Sequence, residues 1–170
     1  MKNNKIIFIT GGARSGKSFY ALKLASSFAK KTYIATAEVT DEEMKFRIEK
    51  HKKERDQSYE TIEEPVFLAG AIRSKKESEI VIVDCLTLWL SNLFLRKKKE
   101  REGQIEEYLS VLPEVPGTII IISNELGMGV VPENKLAREF RDEMGLLNQK
   151  TARLAHEVYL MASGIPIKTK

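Results

Sequence analysis

Residues Lys5-Ile-Ile-Phe-Ile-Thr10 run directly into Gly11-Gly-Ala-Arg-Ser-Gly-Lys-Ser18, and Phe19-Tyr-Ala-Leu-Lys-Leu-Ala25 follows with helical spacing. An apolar strand, a complete G-x-x-x-x-G-K-[ST] loop and a helix in that order are what a phosphate-binding loop requires. Its backbone N–H groups turn inward around phosphate oxygens, and the helix N-terminus adds the positive end of its dipole. Gly11, Gly12 and Gly16 are expected to supply φ angles that a side chain resists. Ala13, Arg14 and Ser15 complete the loop. Lys17 is placed to reach the β- and γ-phosphates, and the Ser18 hydroxyl to ligand Mg²⁺. The chain is therefore read as one that handles nucleoside triphosphates.

Outward from this loop, strand and helix patterns alternate. Strands are expected at Lys5–Thr10, Thr32–Thr36, Tyr59–Glu63, Glu79–Asp84 and Thr118–Ser123, the last two as continuous β-branched runs of the kind buried on both faces. Helices are expected over Lys17 to about Lys30, from Thr40 as N-cap with Glu43 closing a capping box, and over Phe67–Lys75 after Pro65 at a first helical position. Further helices are expected over Leu86 to about Lys99, over Gln104–Leu112, and from Pro132 to about Glu157 with a possible break at Gly145. Val158–Ala162, a Ser163-Gly164 turn and Ile165–Lys168 form a hairpin. The pattern predicts one α/β domain over 1–170, a mostly parallel sheet with helices on both faces and an antiparallel C-terminal edge. Its ligand belongs at the carboxyl ends of the strands, where Thr10-Gly11, Thr36-Ala37, Asp84-Cys85 and Ser123-Asn124-Glu125 converge.

Composition limits the partners. The 170 residues carry a net charge of +4, with 42% hydrophobic and 31% charged residues, and a single Cys85, which leaves no intramolecular disulfide. The longest apolar stretch, Leu86–Leu95, is too short to span a bilayer. Met1-Lys-Asn-Asn-Lys5 has no signal-peptide character, so a cytoplasmic protein is expected. The basic runs His51-Lys-Lys53 and Arg96–Arg101 admit a nucleic-acid surface. Glu100 and Glu102 within the second run favour a solvated connection instead, so no nucleic-acid partner is expected. There is no Asn-Lys-x-Asp motif of regulatory GTPases and no protein-kinase signature set.

Asp84 closes its strand either as an acid that helps hold Mg²⁺ or as the N-cap of the next helix. Arg47, His51 and Arg55 stand at i, i+4 and i+8 of one helix. Alone they read first as a solvated basic face. The alternative is a neutral, nucleophilic imidazole between guanidiniums that hold phosphate oxygens. His156 is expected to be structural. Two glycines in Asn124-Glu-Leu-Gly-Met-Gly-Val-Val-Pro132 suggest a mobile loop at the ligand face.

Taken in order, Thr10–Ser18, Tyr33-Ile-Ala-Thr-Ala37, Asp41–Arg55, Thr61-Ile-Glu63, Val83-Asp-Cys-Leu-Thr-Leu-Trp89, Ser123–Glu133, Ala137–Asp142 and Asn148-Gln149 resemble a known family nearly end to end. It is the bifunctional adenosylcobinamide kinase / adenosylcobinamide-phosphate guanylyltransferase family of cobalamin biosynthesis. The resemblance implies a RecA-like P-loop fold assembled as a homotrimer. It also implies two reactions, phosphorylation of the aminopropanol hydroxyl of adenosylcobinamide by ATP or GTP, then transfer of GMP from GTP through a histidine to adenosylcobinamide phosphate. By the resemblance that histidine is His51, beside Lys17 as the other catalytic residue. Nucleotide contacts carry over onto Gly11–Ser18, Thr36, Ala37, Glu38, Lys52, Lys53, Glu54, Arg55, Glu63 and Asp84, with Mg²⁺ on Ser18 and Asp84. A plain small-molecule P-loop kinase, which leaves His51 idle, and a RecA-like ATPase stimulated by nucleic acid are the rival readings.

Overall fold

The computed structural model describes residues 4–53 and 57–170. A single seven-stranded sheet has the order β3-β2-β4-β5-β1-β6-β7. Its strands are β1 (Lys5–Gly11), β2 (Lys31–Ala35), β3 (Tyr59–Glu63), β4 (Ile80–Asp84), β5 (Thr118–Ile122), β6 (Glu157–Ala162) and β7 (Ile165–Lys168). All neighbouring pairs are parallel except β6–β7, which is the expected C-terminal hairpin. The strand that carries the phosphate loop does not touch the strand that ends in Asp84, because β5 lies between them. This is the RecA-like P-loop arrangement.

Strand periodicity assigns the core. Ile6, Phe8, Val81, Val83, Ile119 and Ile121 face one way, beneath α3 (Leu68–Ser74), α4 (Leu86–Phe94), α5 (Lys98–Val111) and α6 (Lys135–Leu154). Ile7, Ile9, Ile80, Ile82, Ile120 and Ile122 face the other way, where Ala21 and Ala25 of α1 (Lys17–Ala25) pack. Period-two alternation of an all-apolar strand serves both faces at once. Trp89 anchors the thicker layer. Its indole is wholly buried, lies 5.2 Å from the Tyr108 ring and donates Nε1–H to the Val66 carbonyl at 2.8 Å.

Several element ends differ from the sequence expectation, some through contacts remote in the chain and others through local side-chain caps. Helix α1 stops at Ala25, and the turn that follows gives the Ala29 and Lys30 N–H groups to the Glu79 carboxylate. Helix α2 (Glu42–Lys53) is capped by Asp41 and not Thr40. The Asp41 Oδ1 accepts from Met44 N at 2.7 Å, and the Thr40 hydroxyl turns to the same carboxylate. Pro65 precedes α3 in a bend, where the Glu64 carboxylate accepts from the N–H groups of Val66 and Phe67.

The other departures concern α4, α5 and α6. Helix α4 ends at Phe94 and α5 starts at Lys98, so much of the basic run forms the first turn of α5. Arg101 holds that turn in place by pairing with Glu143 of α6 at 2.7 Å and lying 4.1 Å over the Phe94 ring. Helix α6 begins after an Asn134 cap, passes unbroken through Gly145 and ends at Leu154. Burial of Met144, Leu147, Asn148 and Thr151 along one side outweighs the helix cost of one glycine, about 1 kcal/mol.

Candidate active site

The loop after β1 turns in front of the N-terminus of α1. Gly11 has φ +148°, and a Cβ there would lie 2.5 Å from the Met161 carbonyl of β6. Gly16, at φ +92°, would bring a Cβ 3.2 Å from Gly164 Cα. Gly12 departs from expectation. Its φ is not in the left-handed region and a Cβ would meet nothing within 4 Å, whereas Arg14 takes the positive φ, at 56°. The turn between β6 and β7 leans on this loop, because Gly164 N–H donates to the Ser15 carbonyl at 3.0 Å.

Lys17 reaches back into the turn. Its Nζ donates to the carbonyls of Gly11 and Gly12 at 3.1 and 2.6 Å and to Ser15 Oγ at 3.4 Å. Burial holds this ammonium below the ordinary lysine value, while Cys85 and Asp84 act in the opposite direction. The amine is therefore already partly desolvated where phosphate oxygens would replace the carbonyls.

Opposite it, Ser18 Oγ donates to Asp84 Oδ2 at 2.9 Å, and the Tyr33 hydroxyl of β2 donates to the same oxygen. A hydroxyl that donates to a carboxylate keeps its own lone pairs for a cation. One serine oxygen, one carboxylate and the ligand's phosphates suit Mg²⁺, which is seldom held by protein groups alone. No cluster of three metal-ligating side chains occurs among the described residues. Asp84 gives no side-chain cap to α4, whose N-cap is Cys85.

Thr36 is fully buried. Its Oγ1 accepts from Cys85 N at 2.8 Å and donates to the Cys85 carbonyl at 2.7 Å, so the hydroxyl ties the end of β2 to the end of β4. Ala37 is half-buried and Glu38 is exposed beside it. Asn92 of α4 donates to the carbonyls of Thr36 and Pro65, fixing the chain after β2 against the chain after β3. Beyond β5, Asn124 N–H donates to Thr87 Oγ1 and the Asn124 carbonyl accepts from Asn148, while Glu125 N–H reaches the Gly11 carbonyl at 3.0 Å. The start of the glycine-bearing loop is thus pinned from α4, α6 and the phosphate loop.

Helix α2 carries His51 and Lys53 along its backbone, but their side chains, with that of Arg47, lie outside the described residues, as do Glu54 and Arg55 altogether. Lys52 Nζ lies 2.5 Å from Glu63 Oε1, which joins the C-terminal turn of α2 to the end of β3. The structure thus brings Gly11–Ser18, Thr36–Glu38, Glu63 and Asp84 to the carboxyl edge of the sheet. His156 lies at the opposite end, its Nδ1 accepting from Ile6 N at 3.0 Å. Sequence reasoning passed over Tyr33, Asn92 and Gly164 as site residues. A tyrosine two positions before a strand end was the one available signal.

A phosphate loop, a buried lysine and a serine–aspartate pair on a RecA-like sheet define a P-loop nucleotide site. Comparison with known proteins narrows that class. Residues 7–169 match the family described as cobinamide kinase / cobinamide phosphate guanyltransferase, and the chain belongs to it. It is 46% identical to the bifunctional adenosylcobalamin biosynthesis protein CobP of Pseudomonas aeruginosa, over 95% of each chain. It is 35% identical to the bifunctional adenosylcobalamin biosynthesis protein CobU of Escherichia coli, over 97% of this chain and 99% of that one. A solved structure from Pyrococcus horikoshii OT3 shares the fold at TM-score 0.57 and 8% identity, covering all of this chain and 88% of that one. The chain is accordingly an enzyme of the kinase and guanylyltransferase family. Among the described residues no helix is long and apolar enough to cross a membrane.

Proposed function

We propose that this enzyme works in cobalamin biosynthesis and performs both family reactions at one phosphate loop. ATP or GTP first donates its γ-phosphoryl group to the aminopropanol hydroxyl of adenosylcobinamide. An imidazole nitrogen of His51 then attacks the α-phosphorus of GTP, an N–P bond forms, the α–β bridging P–O bond breaks and pyrophosphate leaves. A phosphate oxygen of adenosylcobinamide phosphate next attacks that phosphorus, the N–P bond breaks, and adenosyl-GDP-cobinamide is released. Splitting the transfer replaces one difficult displacement with two easier ones.

The observation that carries this reading is the Lys17, Ser18 and Asp84 constellation on the sheet edge to which Lys52–Glu63 fastens the helix bearing His51. Lys17 and the loop N–H groups orient the phosphates and stabilise charge on the departing oxygen in both reactions. Ser18 and Asp84 would hold Mg²⁺, which would supply neutralisation of the triphosphate charge when bound. By the family resemblance, nucleotide contacts are assigned to Thr36–Glu38, Lys52–Arg55 and Glu63. We further propose a cytoplasmic homotrimer with no nucleic-acid partner.

Incubation with Mg²⁺ and α-phosphate-labelled GTP, beside His51→Ala, tests the covalent step. Label on the wild-type protein alone, lost in acid and kept in base, is the expected phosphoramidate. If both proteins bind GTP and neither takes label, the guanylyl-histidine step is wrong and a plain P-loop kinase remains.

A further inference from the structure

We propose that Tyr33 is a positioning residue for the metal site, its phenol holding the Asp84 carboxylate in the orientation that receives a nucleotide-bound divalent cation. The inference rests on the reading of Ser18 and Asp84 as the cation's protein partners.

In the parallel register of β2 and β4, Ala35 lies opposite Asp84 and Tyr33 opposite Ile82. Tyr33 therefore stands one same-face step before the edge, and its ring spans that step to the carboxylate. Only 3% of the residue is exposed. The ring packs in the thinner core layer with Ile80, Ile82 and Cys85, and meets the Tyr59 ring edge-on at 6.3 Å. A buried ring of this size has little rotamer freedom, so its hydroxyl is a fixed donor. Ser18 and Tyr33 both donate to Asp84 Oδ2. Among the described residues Oδ1 accepts no hydrogen bond, and it remains for the cation or one of its waters.

An aspartate at a strand end otherwise turns about two side-chain torsions and must be ordered when the cation arrives. Ser18 donates to the same carboxylate, but it is only half-buried and its hydroxyl turns about its own torsions, so the fixed donor is Tyr33. Tyr33 touches neither phosphate nor metal in this arrangement. Its contribution is orientation, and groups that orient metal-binding side chains typically carry about 10- to 100-fold in metal affinity.

The test compares the wild type, Tyr33→Phe and Asp84→Asn by Mn²⁺ titration, monitored by electron paramagnetic resonance, of each protein saturated with a non-hydrolysable GTP analogue. Nucleotide affinity is measured separately in EDTA. Phenylalanine keeps the ring and its packing, so the fold is retained. The expected result for Tyr33→Phe is about 10- to 100-fold weaker Mn²⁺ binding with unchanged nucleotide affinity in EDTA. The Mg²⁺ concentration for half-maximal turnover should rise with it, and kcat should recover at saturating Mg²⁺. Wild-type-like Mn²⁺ binding in Tyr33→Phe, with loss in Asp84→Asn, would overturn the role of Tyr33 alone. Wild-type-like binding in Asp84→Asn would overturn the metal reading beneath it.

Discussion

Gly11 and Gly12 are adjacent and chemically identical, yet the chain asks different things of them. A methyl group on Gly11 would sit 2.5 Å from the Met161 carbonyl, at a φ of +148° that side chains resist, whereas one on Gly12 would meet nothing within 4 Å. Gly11→Ala must therefore push β6 off the phosphate loop or distort the loop itself. The expected cost is about 1–3 kcal/mol, the usual magnitude for forcing a residue into a sparsely populated backbone region. Gly12→Ala should leave folding stability near the wild-type value. Thermal melts of the two variants in the absence of nucleotide check the contrast, and equal melting temperatures would contradict it. The motif G-x-x-x-x-G-K-[ST] fixes Gly11 and leaves position 12 open, so the expectation for Gly12 came from residue type alone, which does not record which neighbour approaches. The same gap explains Arg14, a charged residue at positive φ within a loop whose glycines were expected to absorb that geometry.

Among the secondary-structure elements, the strands were the legible part. Runs such as Ile80-Val-Ile-Val-Asp84 admit one reading, since only a strand buried on both faces uses so many consecutive β-branched residues. Helix ends were less legible because partners distant in sequence settle them, as Glu79 does for the turn after α1 and Glu143 for the start of α5. The phosphate loop was legible from its own residues, but its support was not. Gly164 N–H on the Ser15 carbonyl couples the last hairpin to a motif some 150 residues earlier. Gly164 has φ +85°, so Gly164→Val should twist the turn and weaken triphosphate binding by roughly tenfold, about 1.4 kcal/mol. Calorimetric titration with GTP measures it. An unchanged Kd in a folded variant would show that the hairpin merely rests on the loop.

The layer between α5 and α6 has its own signature. Tyr108 is wholly buried and burial raises its phenol above the ordinary tyrosine value, only partly offset by the contact with Thr151. A phenol whose folded value is raised contributes stability that is intact below pH 10 and is lost as pH climbs beyond it. In a tyrosinate absorbance titration, the Tyr108 step should therefore coincide with loss of the far-ultraviolet dichroism, and Tyr108→Phe should remove that step. Ionisation of Tyr108 well before the dichroism changes would place the phenol in contact with water.

At the level of the whole molecule, the two proposed reactions divide unequally over the fold. The phosphate loop, Lys17 and Asp84 belong to the rigid sheet edge, where strand ends, hairpin and helices brace one another. Helix α2 is different: none of its described side chains is buried, and Lys52–Glu63 is an exposed pair at its C-terminal end. Such a pair is worth about 1 kcal/mol at most to stability, so any larger effect of breaking it must be on placement. If γ-phosphoryl transfer uses only the sheet edge while guanylyl transfer also needs α2, variants should separate the two. Lys17→Ala should lower both activities on the order of a hundredfold or more. Glu63→Gln should leave the melting temperature close to wild type and slow labelling of the protein by α-phosphate-labelled GTP more than it slows the kinase reaction. Parallel assays of adenosylcobinamide phosphorylation and protein labelling decide the matter. Equal loss of both in Glu63→Gln would mean that Glu63 acts only through the nucleotide the two reactions share, and that α2 is no separate carrier of the second step.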